Sequence, residues 1–88
     1  MSEERRARIE AKLRERLQAE HVELLDESHL HAGHPGAASG AGHFRATIVA
    51  SCFEGLSRVA AQRLVYEAVD DEMGTHIHAL AMHTSAPE

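Results

Sequence analysis

The chain has 88 residues, enough for one domain with a modest core and too few for two lobes closing over an active site. With 43% hydrophobic and 26% charged residues it has the balance of a folding globular chain rather than a disordered one. Its net charge of −5 opposes generic attraction to nucleic-acid phosphate, and a single cysteine, Cys52, excludes an internal disulfide and fits a reducing compartment, by default the cytoplasm.

The first segment, MSEERRARIEAK, has no apolar stretch of the signal-peptide kind, and Glu3, Glu4 and Glu10 argue against a transit peptide. No apolar run is long enough to span a bilayer, so no membrane role is expected. Ile9, Leu13 and Leu17 recur every four residues and predict an amphipathic helix over about 3–18, with one buried face. Six of the nine Lys and Arg residues lie in the first sixteen positions, interleaved with glutamates. Spacings such as Glu4 with Arg8 and Glu10 with Arg14 predict a solvated, self-paired helix face rather than a basic footprint.

HVELLDES (21–28) reads as a strand running out to a loop. In HFRATIVA (43–50) Phe44, Ala46, Ile48 and Ala50 share one face, and His43, Arg45 and Thr47 share the other, which is expected to be wet. The connection between them, residues 29–42, holds Gly33, Pro35, Gly36, Gly40 and Gly42. It is longer than the usual strand connection of about 2 to 5 residues, and such loops are more often functional than idle. Phe53, Glu54 and Gly55 predict a turn, and Ser57 an N-cap for a helix whose Ala61, Leu64, Val65 and Ala68 share a side. Asp70, Asp71 and Glu72 oppose a helix C-terminus, which is already negative, so a break near Asp70 and a short separate helical turn closed by Gly74 are expected. HIHALAMHT (76–84) reads as a strand with apolar residues on both faces, expected to be covered on both. The order helix, strand, strand, helix, short helix, strand predicts an α+β two-layer domain with helices on one face of a three-stranded mixed sheet.

Eight histidines pose the functional question. His29, His31 and His34 crowd the long connection. Neutral imidazole is a common transition-metal ligand, but HLHAGH lacks a full convergent set and is not the helical motif of a zinc protease. Spacing alone leaves a solvated loop and a ligand supply both open. His76 and His78, two apart on a strand, are expected to project from one face, with His83 on the other. Cys52 has no flanking cysteine or activating base and reads as inert. No nucleophilic triad, phosphate loop or dinucleotide fingerprint is present, so neither an enzyme nor a small-molecule substrate is expected.

DESHLHAGH, HFRATIVASCFEGLS, QRLVYEAVDDEM and IHALAMHT, in this order, resemble the BolA family across nearly the whole chain. The resemblance implies a class II KH-like fold. It also implies a heterodimer with a monothiol glutaredoxin, in which the two proteins, with glutathione, share a [2Fe-2S] cluster for iron-sulfur trafficking or iron sensing. His78 in IHAL matches the family's strand ligand. His31 matches its loop ligand, which in this chain is histidine rather than cysteine, and His34 is the rival. Histidine ligation makes such a cluster less negative and raises its reduction potential, and because imidazole protonates near neutrality it suits a carrier or sensor. Some BolA proteins are described as transcriptional regulators, so a KH-like domain contacting DNA is the alternative; EGLSRVAA, however, lacks the GXXG loop by which KH domains clamp single strands. Many relatives read R-H-R where this chain has Ala61, Gln62 and Arg63, and continue past SAPE, so roles carried by that histidine or by such an extension are not expected here.

Overall fold

A computed structural model describes residues 2–27 and 42–88 of the chain. Helix α1 (Ser2–Leu17) turns Ile9, Leu13 and Leu17 into the core, as their four-residue spacing requires. It ends at Leu17 because Gln18 adopts a left-handed conformation, φ 50°. The Gln18 N–H then donates to Glu15 O at 3.3 Å and the Ala19 N–H to Arg14 O at 3.0 Å, the paired bonds of a Schellman cap.

Strand β1 (His21–Asp26) runs antiparallel to β2 (Gly42–Val49), and β2 runs parallel to β3 (Ile77–Ser85), giving the sheet order β1-β2-β3. Phe44, Ala46, Ile48 and Ala50 are all buried under the two helices, as their alternation requires. Between β2 and β3 the chain makes a single turn of 3-10 helix at Ser51–Phe53, and the expected turn follows it, the Leu56 N–H donating to Phe53 O at 3.0 Å with Gly55 at φ 78°. Helix α2 (Arg58–Ala68) follows, its Ser57 Oγ accepting from the Ala60 N–H at 3.2 Å. Ala61, Val65 and Ala68 are buried and Leu64 partly so. The layers are those expected.

Three expectations are corrected. No short helix follows α2: residues 69–76 form hydrogen-bonded turns, with Glu72 N–H donating to Val69 O and both His76 and Ile77 N–H donating to Glu72 O. The acidic residues there answer to α1 rather than to a helix of their own. Arg16 donates to Ala68 O at 2.8 Å, completing the C-terminus of α2, and to Asp71 at 3.0 Å. Arg8 likewise does not settle on Glu4 but forms a bidentate pair with Glu72 at 2.9 and 3.0 Å, which Lys12 joins. The α1 cations at 8, 12 and 16 thus form one stripe, spaced by one turn, that clamps the turn feeding β3. Finally, β3 is covered on one face only. Ala79 and Ala81 on the other are exposed, and side chains that small leave little apolar area needing cover.

The edge of β1 is closed by the same helix. Arg14 and Arg6 donate to the carbonyls of Val22 and Leu24 at 3.3 and 3.2 Å.

Candidate metal-ligating site

The open face of the sheet is arranged in rows set by strand register. Leu25 stands beside Arg45 and Ala81, and Glu23 beside Thr47 and His83. The row at the end of the sheet holds Glu27, whose N–H donates to His43 O at 2.7 Å, then His43, then Ala79.

A β-bulge interrupts the β2–β3 ladder here. Gly42 pairs with Ile77 and His43 with Ala79, so Ile77 and His78 together oppose one residue. The extra residue re-aims His78, and bulges commonly do this beside functional sites. Its imidazole meets that of His43 across the strands, ring centroids 5.1 Å apart and planes tilted by 54°. His43 is buried at 9% exposure, while His78 is exposed.

Two expectations about the other histidines of the last segment are overturned, one by where β3 begins and one by the bulge. His76 does not share a strand face with His78: it lies in the turn before β3, where its Nδ1 is 2.9 Å from Glu72 Oε1. His83 does not face the opposite way, because the one-residue shift returns it to the open face opposite Thr47. It stands five residues from His78, about 16 Å along the strand. Period-two counting fails on His76 because the strand begins one residue later, and on His83 because it assumes an unbroken ladder.

Glu72 buttresses the site from behind. It is 3% exposed, and the Arg8 guanidinium, with Lys12 adding to it, holds its carboxyl down to about 2 against the opposing effect of burial. The backbone oxygen of this residue carries the N–H groups of His76 and Ile77, fixing the chain one residue before His78.

His31 and His34, with His29, lie outside the described residues. Their segment is nonetheless tied at both ends beside His78: it leaves after Glu27 and returns at Gly42, which bond respectively to His43 O and His76 O. Gly42 can take no side chain, since a Cβ would come within 2.6 Å of the Phe44 ring. Cys52 lies beyond the opposite end of β2, exposed, with its Sγ 3.7 Å from Leu17 O.

Among the described residues no group of three or more His, Cys, Asp or Glu side chains converges on a point that could hold a metal ion. Of the two imidazoles in contact, that of His78 is the accessible one.

Comparison with known proteins decides the family. The model of the family described as BolA-like protein matches residues 13–88. The chain belongs to the BolA family. It is 43% identical over 76 residues to the DNA-binding transcriptional regulator BolA of Vibrio cholerae serotype O1, covering 86% of this chain and 69% of that protein. It is 44% identical over 81 residues to human BolA-like protein 1, covering 92% of this chain but only 57% of the human one. The BolA domain of SufE1 from Arabidopsis thaliana superposes with a TM-score of 0.82 at 36% identity, covering 94% and 92% of the two chains. Two helices on one face of a mixed three-stranded sheet are therefore the BolA architecture. No helix among the described residues is long and apolar enough to cross a membrane.

His43 is the residue that reading the sequence left aside. Alternation does place it on the open face, but its partner across the strands depends on the bulge.

Proposed function

We propose that this protein is an adaptor that pairs with a monothiol glutaredoxin in the cytoplasm and carries a [2Fe-2S] cluster between them, with glutathione on the glutaredoxin side, for iron-sulfur trafficking or iron sensing. The cluster is cargo. His78 supplies one imidazole and the 28–41 segment supplies another, from His31 or His34. What supports the reading is the exposed His78, set by a bulge on the open face of the sheet, with both ends of the histidine-bearing segment tied beside it. A chain offering two imidazoles leaves a two-iron cluster half-ligated, so it needs a partner to hold one.

The test is to mix the protein with a cluster-loaded monothiol glutaredoxin and follow visible absorption and stoichiometry. A one-to-one complex with an altered spectrum is expected, and little iron on the isolated chain. A coloured, stoichiometric cluster on the chain alone overturns the reading.

A second reading, DNA contact, draws on the name of the Vibrio relative and on one local observation: Arg58 and Arg63 of α2 form no ion pair among the described residues. Two phosphate contacts give a salt slope of only about −2 in log K against log salt. A slope of that size on duplex DNA, lost in the Arg58→Ala, Arg63→Ala double variant, would favour this second reading.

A further inference from the structure

The two edges of the sheet are treated differently. In β1 the carbonyls of Val22 and Leu24 turn away from β2, and Arg14 and Arg6 cover them; the strand also carries Glu23 and Asp26. In β3 beyond the bulge the run ALAMHTS contains no formally charged residue, proline or glycine, so from Ala79 on it lacks the usual devices that blunt an edge against pairing. The Ala50 N–H donates to Ser85 O at 3.0 Å, which sets the parity of the parallel ladder. Ala79, Ala81, His83 and Ser85 therefore direct their backbone groups toward β2, and Leu80, Met82 and Thr84 direct theirs outward. Nothing among the described residues bonds those outward groups.

Helix α2 overhangs the same edge with an apolar flank. Its Leu64 side lies toward α1, lining a cleft with Arg16 and Leu17. The opposite side, Arg58 and Gln62, borders with Met82 and His83 an open cleft of about 510 Å³ beside β3. One turn to either side of Gln62 stand Val59, 64% exposed, and Tyr66, 41% exposed.

We propose that the β3 edge pairs antiparallel with the β3 edge of a second copy of this chain, forming a two-fold dimer with a continuous six-stranded sheet and with α2 packed on its symmetry mate. Both surfaces are self-complementary. A two-fold axis at Ala81 sets Leu80 opposite Met82 of the other copy on the helix side of the sheet. The same axis between Gln62 and Arg63 sets Val59 opposite Tyr66. Gln62 and Met82 border one cleft, so the two centres lie level. An extended segment of some other protein would satisfy the strand edge and leave the helix flank uncovered; a second copy covers both. The face bearing His43 and His78 stays open, so the inference stands or falls apart from the glutaredoxin reading.

The test uses the full chain in analytical ultracentrifugation from about 20 to 500 µM, the range in which an interface near the lower size limit of about 1,000 Å² is populated. A dimer is expected, with the amides of Leu80, Met82 and Thr84 protected from hydrogen exchange in proportion to the dimer fraction. Val59→Glu with Tyr66→Glu should weaken association at least tenfold with the circular dichroism spectrum unchanged. Leu25→Glu, on the open face, should not. A monomer throughout the range, which would leave the edge to another protein's strand, overturns the proposal. So does a dimer in which the three amides exchange freely, or one that the α2 variants leave intact.

Discussion

His78 and His83 lie on one strand and one face, and only their distance from the row of His43 separates them. That makes them a matched pair for testing a ligand. In the glutaredoxin complex His78→Ala should speed cluster loss roughly tenfold or more, since even partners outside the ligand set are worth about tenfold in metal affinity, while His83→Ala should behave as the parent. Equal retention of visible absorption by the two variants would remove His78 from the site. His31 and His34 belong to one tethered segment, so one can replace the other. Each single alanine variant should lose little, and the double variant much more than the sum, as neighbours serving one site do. Undiminished binding in the double variant would move the second ligand elsewhere, and His43, 5.1 Å from His78 ring to ring, is then the next candidate. Cys52 is not, because it lies beyond the other end of β2.

Two elements end in ways that can be measured. Helix α1 closes on Gln18 at φ 50°, a conformation that costs a side-chain-bearing residue about 1 to 2 kcal/mol and glycine almost nothing. Gln18→Gly should therefore stabilise the protein by about 0.5 to 1 kcal/mol after the extra entropy of an unfolded glycine, raising Tm by about 2 to 8 °C. An unchanged or lower Tm would contradict it. Helix α2 hands over to β3 through Glu72, whose carboxyl falls from an ordinary 4.5 to about 2. A carboxylate with a depressed folded-state value stabilises the fold above its unfolded value and loses that contribution as pH falls through the folded one. Here the window runs from about 4.5 down to about 2 and is worth roughly 3 kcal/mol. Glu72→Gln should cost about 3 kcal/mol at neutral pH, the low end of the range for breaking a buried pair, because Arg8 remains free to hydrate at 45% exposure. Urea titrations at pH 7 and pH 3 should show the gap between variant and parent narrowing in acid. The helix stripes of α1 and α2 and the alternation of β2 were legible because each repeats within one element. The Glu72 clamp was not: Arg8 and Glu72 are 64 positions apart, and a run of acids after a helix carries no sign of which helix it answers.

At the scale of the whole molecule, the layers and strand count could be read from periodicity, and the long connection from its glycines. The site could be read only as a set of histidines, because their grouping depends on one inserted residue in the β2–β3 ladder. That shift brought His83 to the open face and set His78 beside His43. The clamp of Arg8 and Lys12 on Glu72 has a further consequence, for where the folding unit begins. The family model begins to match at Leu13, yet a chain shortened to residues 13–88 would keep the buried carboxylate and lose both cations that hold it charged, along with fully buried Ile9. Such a chain should lack a cooperative thermal transition and give a poorly dispersed amide NMR spectrum, although everything the family model matches is still present. The span of the family model is shorter than the part of this protein that folds.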